Sequence, residues 1–165
     1  MVKFISVQDN SEKLYELINK GVLHYPCYWI KECNPAVTYY AMDNKKIIGV
    51  VSYELYRMSG ERAVKTIEFT ALLHFLDVCE GYEYARERII DGIFKQKNIT
   101  VNCKKVITCV TGEIPVLEKD YWSEMGAICD KSHYKTDLVN YNLTRSDFNK
   151  YWRRVRNGEK QVNCN

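Results

Sequence analysis

The stretch Phe75–Ile90, reading FLDVCEGYEYARERII, passes from the end of a strand pattern through a short polar turn directly into a helix pattern. A strand–turn–helix unit of this kind constrains the fold more than any other feature of the chain. It fixes a β-to-α connection in mid-sequence and leaves backbone N–H groups at the helix N-terminus without intrahelical partners, open to an anion. Upstream, Ile67, Phe69, Ala71, Leu73 and Phe75 share one side of a long strand, and Glu68, Thr70, Leu72, His74 and Leu76 share the other. Downstream, Ala85, Ile89, Ile90, Ile93 and Phe94 recur at helical spacing and point to a core-facing stripe.

The remaining elements follow from periodicity and turn chemistry. Val2–Val7 alternates as a first strand, and Asn10 or Ser11 caps a helix with Leu14, Leu17 and Ile18 on one face, ending near Gly21. An aromatic segment, Val22–Cys33, stops before Asn34-Pro35. A hairpin follows: Ala36–Met42, a turn over Asp43–Lys46, and Ile47–Arg57, with a second turn at Ser59–Glu61. Lys105–Thr111 is a continuous β-branched run, suited to a strand buried on both faces. Pro115 fits the first turn of a helix running to Met125 and stopped by Gly126. Strand-like pieces at Ala127–Cys129 and His133–Leu143 precede a basic helix beginning near Ser146. The order is β-α-α-β-β-β-α-β-α-β-β with one helix added, an α/β (α+β) mixed sheet with helices packed on it.

With 165 residues the chain fits a single core without metal or disulfide support. Its seven cysteines are odd in number and form no C-x-x-C pair, which reads as free thiols in a reducing cytoplasm. His24, His74 and His133 are not spaced to complete a zinc site, and no apolar run approaches a membrane span. A tyrosine-rich chain with long edge strands would suit pairing into a homodimer. The net charge of +3 is unevenly placed: Arg145, Lys150, Arg153, Arg154, Arg156 and Lys160 face only Asp147 and Glu159 in the tail. Such a tail is either a solvated terminus or a contact for nucleic acid or an acidic protein. Within it, Phe148, Tyr151, Trp152 and Val155 form one helical stripe suited to docking on a sheet.

Over residues 1–143 this element order, with its mid-chain strand–turn–helix unit, resembles the GCN5-related N-acetyltransferase (GNAT) family; residues 144–165 then form an added basic helix and tail. The resemblance implies a central, mostly antiparallel, twisted sheet flanked by helices. It also implies a donor, acetyl-CoA or another acyl-CoA, and an acceptor amine on a protein, small molecule or nucleobase. In the family an Arg/Gln-x-x-Gly-x-Gly/Ala turn wraps the pyrophosphate with backbone amides. Here one register sets Glu80, Glu83 and Ala85 at those positions; another matches Val78 and Tyr82 with a shorter loop. The cofactor contacts implied are Phe75, Leu76, Val78, Gly81, Tyr82, Tyr84, Ala85 and Arg86, with Arg86 and Arg88 as cationic phosphate ligands. Glu68 and His74 take the place of a general base between the fourth and fifth strands, and Tyr121 that of the acid for the departing thiolate, although the family's tyrosine position falls on Trp122. A GNAT-like protein without catalysis, binding a macromolecular partner, is the alternative that the altered turn keeps open.

Overall fold

The computed structural model describes residues 1–23, 35–58, 68–96, 103–110, 121–130 and 139–158. The chain divides into two compact units, Met1–Tyr56 with Ala71–Val101, and Arg57–Thr70 with Asn102–Asn165. The aromatic segment His24–Trp29, the turn Ser59–Glu61 and the helix start at Pro115 lie outside the described residues.

The first unit opens with β1 (Lys3–Ser6), a 3-10 turn (Val7–Asn10) and α1 (Ser11–Asn19). Asn10 caps α1, its side-chain oxygen accepting the Lys13 N–H at 3.2 Å, which satisfies one of the amides a helix start leaves over. At the other end Gly21 (φ +63°) closes a Schellman motif: its N–H reaches Ile18 C=O, and the Val22 N–H reaches Leu17 C=O. The hairpin joins β2 (Thr38–Asp43) to β3 (Lys46–Met58). Its two-residue turn needs positive φ twice, supplied by Asn44 (47°) and Lys45 (67°). β4 spans Glu68–Val78, and the unit's sheet is ordered β1-β2-β3-β4, with β2 antiparallel to both neighbours.

A core of Val7, Leu14, Tyr40, Val50 and Phe75 lies under α1, and the Tyr40 hydroxyl donates to the Asn10 carbonyl oxygen, tying β2 to the start of α1. The second helix, α2 (Ala85–Phe94), buries Ala85, Ile89, Ile90, Ile93 and Phe94, the stripe expected from the sequence. Gly92 sits where α2 meets β1: a Cβ there would stand 3.1 Å from Val2 Cβ and 3.2 Å from the Phe4 ring.

The second unit contains β5 (Cys103–Val110), β6 (Ile128–Asp130) and β7 (Val139–Thr144), ordered β5-β7-β6 with both pairs antiparallel. The helix end at 121–124 is closed by Gly126 (φ +85°), with the Gly126 N–H on Ser123 C=O and the Ala127 N–H on Trp122 C=O. The last helix, α3 (Arg145–Arg156), packs on β5 and β7 and buries Phe148 and Tyr151. It starts one residue before Ser146, with Thr144 as cap: Thr144 Oγ1 accepts the Asp147 N–H at 3.1 Å and donates to Asp147 Oδ2 at 2.6 Å. This is a variant of the capping box with Asp at the third helical position. Among the described residues no helix is long and apolar enough to cross a membrane.

Candidate active site

The turn between β4 and α2 is held to the body of the first unit from both sides. The Cys79 N–H donates to Ile48 C=O at 2.9 Å and the Glu80 N–H to Val22 C=O at 3.3 Å, so the first two amides after the strand serve the protein itself. Just before them, the fully buried Asp77 accepts the Val78 N–H through Oδ1 at 2.8 Å. The strand end sits unusually close to β3. A Cβ at Gly49 would stand 2.4 Å from the Asp77 carbonyl oxygen, 3.2 Å from Val78 Cα and 2.9 Å from Ile89 Cδ1. Only a residue without a side chain lets β3, the end of β4 and α2 converge there.

Beyond Glu80 the backbone turns through two left-handed residues, Gly81 (φ +82°) and Tyr84 (φ 55°, ψ 30°), the latter at the N-cap of α2 without a side-chain capping bond. A Cβ at Gly81 would meet nothing within 4 Å, so the turn has open space beside it. At the helix start the Arg88 N–H donates to Tyr84 C=O at 3.0 Å, and Ala85, Arg86 and Glu87 form the first turn, at the positive end of the helix dipole. Ala85 is buried, while Glu80, Tyr82, Glu83 and Tyr84 are exposed. The Glu83 carboxylate bonds the Tyr84 side chain and pushes the phenol above its ordinary range. Burial, reinforced by the charge of Asp77, pushes the Cys79 thiol up to about 11.

The cationic side chains of α2 divide. Arg88 pairs with Asp43 at the hairpin turn, which engages its guanidinium, and Arg86 is half-buried in the first turn. Phe75 belongs to the core and Leu76 is buried, so neither presents its side chain to solvent; Val78 is half-buried.

His74 is exposed on β4, and its Nε2 lies 3.2 Å from Glu54 Oε1 on β3. A carboxylate at that distance can orient an imidazole ring. Of Glu68 only the strand backbone is described. Tyr121 is half-buried with a buried hydroxyl oxygen, its ring edge-on to Trp122 at 6.3 Å, and Trp122 is core. His74 and the Cys79–Ala85 turn belong to the first unit; Glu68 and Tyr121 belong to the second.

Three residues at this site were not anticipated. Glu54 and Asp43 act through cross-strand and turn contacts that no local pattern encodes. Gly49 did carry a signal, since a lone glycine inside the β-branched run of Ile47–Val51 marks a close backbone approach.

No protein-family model matches the sequence, and no curated protein matches it significantly. Solved structures do. FdhC, described as a nucleotide-linked sugar GNAT, superposes with a TM-score of 0.57 at 13% identity, covering 96% of this chain and 92% of its own. The chain has the GNAT fold. Arabidopsis thaliana NAA60 in complex with acetyl-CoA gives 0.54 at 14% identity over 86% of this chain and 96% of that one. A bacterial toxin gives 0.54 at 13% identity over 94% and 96%.

Proposed function

We propose that the chain is an N-acyltransferase that passes an acyl group from acyl-CoA to an amine. The observation that carries this reading is the β4–α2 turn: left-handed backbone at Gly81 and Tyr84, and open space beside Gly81 at the start of a helix. That turn stands in a GNAT fold, and one structure similar to this chain is NAA60 in complex with acetyl-CoA. Backbone N–H groups at a helix start suit a diphosphate, and Arg86 is the cationic side chain in the same turn of helix. Glu80 and Glu83 do not defeat the fit, because both are exposed and Glu83 is drawn onto Tyr84.

Bound acyl-CoA supplies an activated thioester. The amine nitrogen attacks its carbonyl carbon, and the C–N bond replaces the C–S bond. The sulfur leaves with the bonding pair as CoA thiolate, and the proton lost by the amine passes to His74 and from there, through solvent, to the thiolate. Glu54 orients the imidazole through its contact at 3.2 Å. Much of the acceleration in such a reaction comes from holding the two reactants together, so the scaffold outweighs any single side chain. Release of CoA thiol in the presence of protein, small-molecule and nucleoside amines tests the reading. One acceptor class gives turnover above hydrolysis, and His74→Gln lowers kcat by about 100-fold with KM little changed. Hydrolysis alone with every amine, or an undiminished rate in His74→Gln, contradicts it. The second reading, a GNAT-like binding protein without catalysis, is favoured by the two carboxylates in the turn; it predicts no turnover and no ligand carried through purification.

A further inference from the structure

The face of α3 opposite its core stripe has no role in the acyltransferase reading. The helix carries Arg145, Lys150, Arg153, Arg154 and Arg156 against the one carboxylate of Asp147, a larger excess than the +3 of the whole chain. Lys150 is paired, with Nζ 3.2 Å from Asp147 Oδ1. Arg153, Arg154 and Arg156 are exposed and meet no carboxylate among the described residues. The negative end of the helix dipole favours cations in the last turn, but the effect is small and screened by salt, whereas guanidiniums packed together repel one another.

A basic amphipathic helix can lie on a membrane, enter a partner's groove, or hold a polyanion. The first two uses need a free apolar stripe. Here Phe148 is fully buried, Tyr151 nearly so, and the helix is packed on β5 and β7. Trp152 is committed as well. It stacks on Phe148, one turn earlier, with centroids 6.5 Å apart and planes 20° apart, and the Arg156 guanidinium, one turn later, lies 5.5 Å from its ring centroid. The indole is engaged within the helix, and its ring attracts the Arg156 guanidinium.

Arg153 and Arg156 are neighbours at i,i+3, and Arg145 and Asn149 continue their row at i,i+4 steps, about 12 Å from Arg145 to Arg153. No exposed large apolar side chain lies on α3. Protein-binding patches centre on buried aromatic anchors, whereas nucleic-acid-binding surfaces are polar and strongly positive. We infer that the exposed face of α3 binds the phosphate backbone of nucleic acid without reading base sequence.

Fluorescence anisotropy with the full chain, short duplex and single-stranded DNAs of unrelated sequence, and polyglutamate as competitor tests this. The expected result is sequence-independent binding whose log–log salt slope is about −3, one unit for each of Arg153, Arg154 and Arg156. Arg153→Gln and Arg154→Gln, both at exposed positions, each reduce the slope by about one, while Lys150→Gln changes it less. Absence of binding at about 50 mM salt, or slopes unchanged in both arginine variants with melting curves intact, overturns the inference. Polyglutamate competing as well as DNA also overturns it, in favour of an acidic protein. None of these outcomes bears on CoA-thiol release, so the two readings fail independently.

Discussion

A methyl group at Gly49 would lie 2.4 Å from the Asp77 carbonyl oxygen, a backbone atom that cannot swing aside. Gly49→Ala is therefore expected to cost about 1–3 kcal/mol in urea unfolding through overpacking at the strand end, more than an alanine usually costs in a sheet. Cys79 behaves as a core residue: its thiol, pushed up to about 11 from an ordinary 9.0, stays protonated at neutral pH. Its alkylation by iodoacetamide at pH 8 should be slow in the folded chain and fast after unfolding. Because the folded value is the higher one, its contribution to stability is full below about pH 9 and fades as pH rises toward 11. Glu16 works in the opposite sense. Bonds from Lys13 and Lys20, with Nζ–carboxylate distances of 2.6 and 2.5 Å, lower it from 4.5 to about 2. That contribution is present above about pH 4.5 and is lost as pH falls through 2. An NMR titration should place the midpoint near 2 at low salt and shift it toward 4.5 at high salt, since the site is exposed.

Elements were legible where a single residue type solves a backbone problem. Asn10 at a helix start, Gly21 and Gly126 at helix ends, and the polar turn between β2 and β3 each announce a local geometry, and each adopts it. The stripe Ala85–Phe94 was equally clear, because helical spacing of apolar residues has few other uses. The basic pattern places the start of α3 near Ser146; the reciprocal bonds between Thr144 and Asp147 set the cap at Thr144. Thr144→Ala should cost about 1 kcal/mol by thermal unfolding, with the loss confined to α3 and its neighbours in hydrogen exchange. The partners of His74 and Arg88 were not legible. Glu54 and Asp43 lie 20 and 45 residues away in sequence; pairing of strands brings Glu54 to His74, and packing of α2 beside the hairpin turn brings Arg88 to Asp43.

At the scale of the whole molecule, fold and chemistry separate. The GNAT fold follows from element order and is matched by solved structures at 12–15% identity, levels at which side-chain chemistry is free to change. The turn after β4 has left-handed backbone at Gly81 and Tyr84 and carries Glu80 and Glu83 exposed. The central claim is that this turn holds the diphosphate of acyl-CoA. Isothermal titration with acetyl-CoA tests it directly. Saturable one-to-one binding that CoA displaces, and that Gly81→Val weakens at least tenfold by straining a residue at φ +82°, is the predicted result. No heat at millimolar ligand, or equal affinity in Gly81→Val, would contradict it.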